Sequence, residues 1–198
     1  MTNAPAATNA SAASQTAAGT AIWIALIAGL TVIGSYGYAC AAPLAAVAAL
    51  AALKMERTDG LILVGLAWVI NQAVGFLLLS YPHTTESYLW GAAIGFAAFV
   101  GYFAARAAAR ANVPALAGWV VTFLVAFAGY QAALYLGGLA FTDPSSGFTA
   151  EVVAEVFAIN AVAYAGFALV YRAAVALSVI APTRRASAQA TPSAAVSA

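Results

Sequence analysis

Charge is nearly missing from this chain of 198 residues, which carries seven Lys and Arg, six Asp and Glu and one histidine, for a formal net charge of +1. So weak a balance offers no electrostatic footprint for a phosphate backbone, and a nucleic-acid partner is excluded. The lone Cys40 allows no internal disulfide. With His83 as the single histidine, no bis-histidine haem, histidine metal relay or histidine-based zinc protease site can be built. The chain also lacks a Gly-x-x-x-x-Gly-Lys loop, a Ser-His-Asp layout and a cluster of metal ligands. Neither catalysis nor a bound cofactor is therefore expected.

What fills the chain instead is apolar: 65% of residues are hydrophobic and the mean hydropathy is +0.94. That composition belongs to an integral membrane protein, an all-α bundle in the lipid bilayer. Apolar segments run over about 20–37, 40–54, 61–80, 89–110, 115–140 and 152–174, parted by "KMERTDG", "YPHTTES" and "TDPSSG". Six spans are expected over a bundle of residues 20–182. Residues 1–19 and 183–198 read as disordered tails, the second of them cytoplasmic, because they have no apolar periodicity to bury.

The first two spans rest on one unbroken apolar run, residues 21–53. A single helix over it would reach about 50 Å, against a hydrocarbon core of about 30 Å. Gly34, Gly37 and Pro43 offer places to turn, which favours two short spans. The alternative is one tilted span with an interfacial segment, giving five helices. No Lys or Arg precedes the run, so a cleaved signal peptide is not expected.

Orientation follows from three basic clusters: Lys54 with Arg57, Arg106 with Arg110, and Arg172 with Arg184 and Arg185. They follow the second, fourth and sixth spans and so share one face. By the positive-inside bias that face is cytoplasmic, with both termini on it, and the setting is the cell membrane, a bacterial inner membrane. Glu86, Asp143, Glu151 and Glu155 collect with His83 on the opposite, outer face. Tyr36, Tyr38, Tyr81, Tyr88 and Trp90 fall near the outer interface, and Trp23, Tyr102, Trp119 and Tyr171 near the inner one.

Polar side chains inside the spans are the candidates for function. On the third span, Gly65, Trp68, Asn71, Gln72 and Gly75 share a stripe at steps of three and four residues. An unpaired amide in lipid costs several kcal/mol, so this stripe faces other helices or a polar cavity. Gln131 and Tyr135 on the fifth span, with Asn160 and Tyr164 on the sixth, complete a candidate solute-binding layer. The competing reading is helix glue, since interhelical hydrogen bonds of about 0.6–2 kcal/mol are common in bundles. Glu155 lies one turn inside the sixth span, four residues from Glu151, and is either a solute or cation ligand or a partner of the helix dipole. His83 reads as a solvated loop histidine with scope for a pH response.

Close packing is signalled by Gly91 and Gly95 and by Ala21 and Ala25, small residues four apart. With its compact set of about six short helices, its polar outer half and this Ala-x-x-x-Ala motif in the first span, the chain resembles an S component. These are the substrate-binding membrane subunits of energy-coupling-factor vitamin or metal transporters. The resemblance is one of architecture and covers length and layout. It implies that Ala21 and Ala25 meet a transmembrane coupling subunit. It also implies that partner ATPase subunits drive release of a vitamin-like molecule or metal ion captured at the outer face. A passive channel or carrier for a small neutral or cationic solute, and a structural subunit of a larger membrane complex, are the alternatives.

Overall fold

The computed structural model describes residues 21, 22, 24, 25, 27–29, 42–111 and 114–177. The two expected tails lie outside the described residues, as do Trp23, Tyr36, Tyr38, Cys40, Arg184 and Arg185. Among the described residues all regular structure is helical, as an apolar chain with no water to satisfy its backbone requires. The helices are α1 (Leu44–Lys54), α2 (Arg57–Ala73), α3 (Thr85–Ala108), α4 (Ala115–Gly138) and α5 (Ala150–Ala176). A π-helical turn, Val74–Leu78, extends α2, and a 3-10 turn, Ser145–Phe148, precedes α5. The described part of residues 21–29 is also helical, with Ile27 and Ala28 buried and Ala21, Ile22 and Ala25 exposed.

Four of these segments are long and apolar enough to cross a membrane: Arg57–Leu78, Thr85–Ala108, Ala115–Gly138 and Ala150–Ala176. They correspond to the third to sixth expected spans, with ends within four residues of those expected. Local chemistry fixes two of the starts. Thr84 Oγ1 accepts the Ser87 N–H at 3.2 Å ahead of α3, and Thr149 Oγ1 accepts the Val152 N–H at 3.3 Å ahead of α5. Pro114 precedes α4, where its missing N–H costs nothing.

The second expected span takes a different form. α1 has 11 residues, about 16 Å at the usual helical rise, half of what a crossing needs. Every residue from Leu44 to Ala52 is buried, and α1 touches all four long helices. Its sequence, LAAVAALAALK, explains the position. Lipid tails are as apolar as leucine, so helices in a bilayer gain most from close van der Waals packing, and alanine lets backbones approach on every side. α1 is the bundle's core, with the long helices as its wall.

The long helices run alternately up and down. A Cβ added to Gly95 on α3 would meet Trp68 on α2, one on Gly60 of α2 would meet Tyr102 on α3, and one on Gly101 of α3 would meet the Ala126 carbonyl on α4. Rings close the α4–α5 side, with Phe123 stacked on Tyr164 at 5.0 Å and Phe127 edge-on to Phe157 at 5.1 Å. The up-and-down order puts Lys54, Arg57, Arg106 and Arg172 at one end, the basic pole. Glu86, Asp143, Glu151 and Glu155, all exposed, lie at the other.

Candidate functional site

The candidate residues divide among three seams of the bundle. On α2, the stripe of Gly65, Trp68, Gln72 and Gly75 is turned to α3 and the loop before it. Trp68 Nε1 donates to the Gly91 carbonyl at 2.9 Å, and its indole lies over Gly95, where a Cβ would come within 2.6 Å of the ring. Gln72 lies over Gly91, where a Cβ would come within 2.5 Å of Oε1. The two glycines of the packing motif are therefore notches that admit an indole and an amide. Asn71, beside them, is half-buried.

Asn160 stands elsewhere, at the buried start of α1. It is fully buried, and its Oδ1 accepts the Ala46 N–H at 3.1 Å while its Nδ2 donates to the Val156 carbonyl at 2.9 Å. A helix leaves its first N–H groups without intrahelical partners, and the local residues Pro43 and Leu44 have no side chain to cap them. Asn160 supplies one such cap from another helix, to a residue that is itself fully buried.

The third seam joins α4 to α5 through rings. Trp119, Phe123 and Phe127 recur every four residues on α4, and Phe157, Tyr164 and Tyr171 every seven on α5. Tyr164 stacks on Phe123 and donates its hydroxyl to the Trp119 carbonyl at 3.2 Å. At the basic end of this seam the Lys54 ammonium lies 4.7 Å from the Trp119 ring and 5.0 Å from the Tyr171 ring. That lysine is the last residue of α1, where a cation also complements the helix dipole. The Lys54 cage, like the trans cap at Asn160, is not predicted from the sequence, although the four- and seven-residue spacings of the rings are visible there.

Of the remaining candidates, Gln131 is half-buried on α4, and Tyr135 packs edge-on to Phe148 at 5.1 Å, near the acidic pole. Glu155 is exposed, on a different side of α5 from Asn160. His83 is held rather than merely solvated, with Nδ1 2.8 Å from the Tyr88 hydroxyl and its ring stacked on Phe76 at 5.4 Å. Asp143 accepts the Ser145 N–H at 3.0 Å, and this bond, with the serine side chain, holds its carboxyl below the ordinary range. Trp90 packs on Phe141 at 5.1 Å and ties the start of α3 to the loop between α4 and α5.

No group of three or more His, Cys, Asp or Glu among the described residues is arranged to hold a metal ion. No protein-family model, curated protein or solved structure matches the chain. Chemically, the arrangement offers a buried helix start with one amide on it, and an indole and two amides set along the next seam. These groups orient polar atoms and carry no nucleophile.

Proposed function

We propose that this is a non-catalytic transport subunit that captures a small solute from the side of its acidic pole. The observation that carries the reading is that α1 starts part-way across the bundle, with the Asn160 amide holding the Ala46 N–H in the place that an acceptor of the solute would take. Membrane transporters use helices that stop part-way across the bilayer to present backbone groups to a solute near the midplane. Trp68, Asn71, Gln72 and Gln131 are the further groups that orient it, Tyr135 stands nearer its entrance, Tyr164 packs beside it with its hydroxyl spent on the Trp119 carbonyl, and the exposed carboxylates, Glu155 among them, raise the local cation concentration. The basic pole faces the cytoplasm of a bacterial inner membrane under this reading. Ala21 and Ala25, both exposed, are where a coupling subunit with its ATPases docks, in the manner of an energy-coupling-factor S component.

Native mass spectrometry of gently purified protein tests this. A stoichiometric small molecule, together with companion chains that hydrolyse ATP, is the expected spectrum. A bare chain with neither, combined with solute flux in liposomes holding this protein alone, overturns it in favour of a channel or carrier.

A second reading is favoured by the way Trp68 and Gln72 fill the notches at Gly95 and Gly91. On that reading the same side chains serve packing only, and the chain is an assembly subunit. Retained function and expression after simultaneous Asn71→Leu and Gln72→Leu would decide for it.

A further inference from the structure

The basic pole carries two arginines that form no ion pair among the described residues. Arg57 opens α2 and Arg106 lies in the last turn of α3. Arg106 Nη1 donates to the Met55 carbonyl at 3.0 Å, and the Tyr102 hydroxyl donates to the Arg57 carbonyl at 3.1 Å. The Arg57 guanidinium sits over the Phe103 ring, 6.0 Å from its centroid. Gly60 makes the arrangement possible, since a Cβ there would stand 2.7 Å from the Tyr102 hydroxyl. Arg106 is thus tied to the turn at residues 55–57 through a carbonyl, and the Arg57 guanidinium to α3 through a ring.

Among the described residues neither guanidinium has a carboxylate partner. The nearest acids in sequence are Glu56, exposed and making no capping hydrogen bond, and Asp59, in the first turn of α2 where it complements the helix dipole. An arginine has five N–H donors, and Arg106 commits one terminal nitrogen to Met55 and lies against the Tyr102 hydroxyl, so each guanidinium keeps donors for an anion. Both guanidiniums and the Glu56 carboxylate act on the Tyr102 hydroxyl, and with two positive charges against one negative at this corner of α2 and α3 a further anion between the arginines is stabilising.

The anion's source is indicated by what continues from the arginines. Phe96, Phe103 and Arg106 follow one another on α3 at spacings of seven and three and share a face, with Phe96 63% and Phe103 46% exposed. A charged head over a strip of exposed apolar surface matches a lipid, with its phosphate at the guanidiniums and an acyl chain along the rings. We propose that Arg57 and Arg106 together bind the phosphate of an anionic phospholipid in the leaflet at the basic pole.

The test uses the full chain in lipid nanodiscs holding equal phosphatidylglycerol and phosphatidylcholine, released into a native mass spectrometer. The expected result is a retained phosphatidylglycerol adduct that Arg57→Gln with Arg106→Gln reduces about fivefold or more, the scale of losing a basic contact at an anionic surface. Arg172→Gln, at an exposed arginine on α5, leaves it unchanged. Equal retention of the two lipids overturns the proposal. So does an equal loss in Arg172→Gln, which marks a diffuse charge effect, or displacement of the adduct by millimolar inorganic phosphate, which marks a headgroup-sized anion site. Should the double glutamine variant not fold, Arg57→Gln alone is compared with Arg57→Lys, and selective loss in the glutamine variant is required.

Discussion

Asn160 and Ala46 are 114 residues apart in sequence, yet the side-chain oxygen of one holds the backbone N–H of the other at 3.1 Å inside the bundle. The bond gives a buried helix start a partner for one of its first amides, which have none within the helix. Asn160→Leu strands that N–H and is expected to lower stability by about 1–3 kcal/mol, the cost of a buried unsatisfied donor. Thermal unfolding in detergent measures it. Val162→Leu, two residues on and 75% exposed, is the control and should shift stability by less than about 0.5 kcal/mol.

Three glycine substitutions should rank by what the new methyl group meets. In Gly101→Ala it would stand 2.9 Å from the Ala126 carbonyl oxygen, which is backbone and moves only with its helix. In Gly95→Ala it meets the Trp68 indole, a rigid ring tethered through Nε1 to Gly91. In Gly91→Ala it meets the end of the flexible Gln72 side chain. The first two should each cost about 1–3 kcal/mol as overpacking, and Gly91→Ala less than about 1 kcal/mol. A Gly91→Ala variant less stable than Gly101→Ala in the same detergent would contradict this packing.

The α2 stripe is legible in the sequence because its members differ in polarity from their surroundings, so a spacing of three and four residues marks a face. Gly65, Trp68 and Gln72 all turn to α3. The burial of α1 is not legible for the converse reason. Residues 21–53 are apolar throughout, and uniform apolarity does not separate a face packed on helices from a face packed on lipid. The amide positions can be read from the chain, but their partners cannot, since which backbone group reaches Asn160 depends on where another helix stops. The same holds for Lys54, visible as a charge at the end of an apolar run and not as the centre of an aromatic cage.

That cage should be measurable as a coupling. Lys54→Met and Trp119→Leu each remove one side of a contact of 4.7 Å between ammonium and ring. A double-mutant cycle on unfolding free energy is expected to give about 0.5–2 kcal/mol of interaction, the range for a cation over an indole from exposed to desolvated settings. A coupling indistinguishable from zero would mean that the lysine finds equal stabilisation at the lipid surface.

Ser80, just past the Leu79 cap of the π-helical turn, has a φ of 55°, the left-handed region that L-residues other than Asn and Asp seldom enter. The turn requires it, because the Leu79 N–H bonds back to the Val74 carbonyl at 3.0 Å and the Tyr81 N–H to the Gly75 carbonyl at 3.1 Å. The chain must reverse between those two bonds. Ser80→Gly removes the steric cost and should stabilise the protein by about 0.5–1 kcal/mol, whereas Ser80→Val should destabilise it. Equal melting temperatures for the two variants would show that the loop relaxes freely.

Asp143 gives the one pH dependence whose sign follows from the contacts. Its carboxylate accepts the Ser145 N–H, and that bond holds its pKa below the ordinary 3.8. A group with a depressed folded-state value contributes stability above its unfolded pKa and loses it as pH falls through the lower, folded one. The loop joining α4 to α5 should therefore stay ordered through neutral and mildly acidic pH and loosen only below about pH 4, near the unfolded aspartate value. Hydrogen exchange at Ser145, corrected for its intrinsic rate, should show protection at pH 5 that is lost in that acid range and is absent throughout in Asp143→Ala. Because the carboxylate is fully exposed, the effect stays local, and the helices themselves should melt at the same temperature in both proteins.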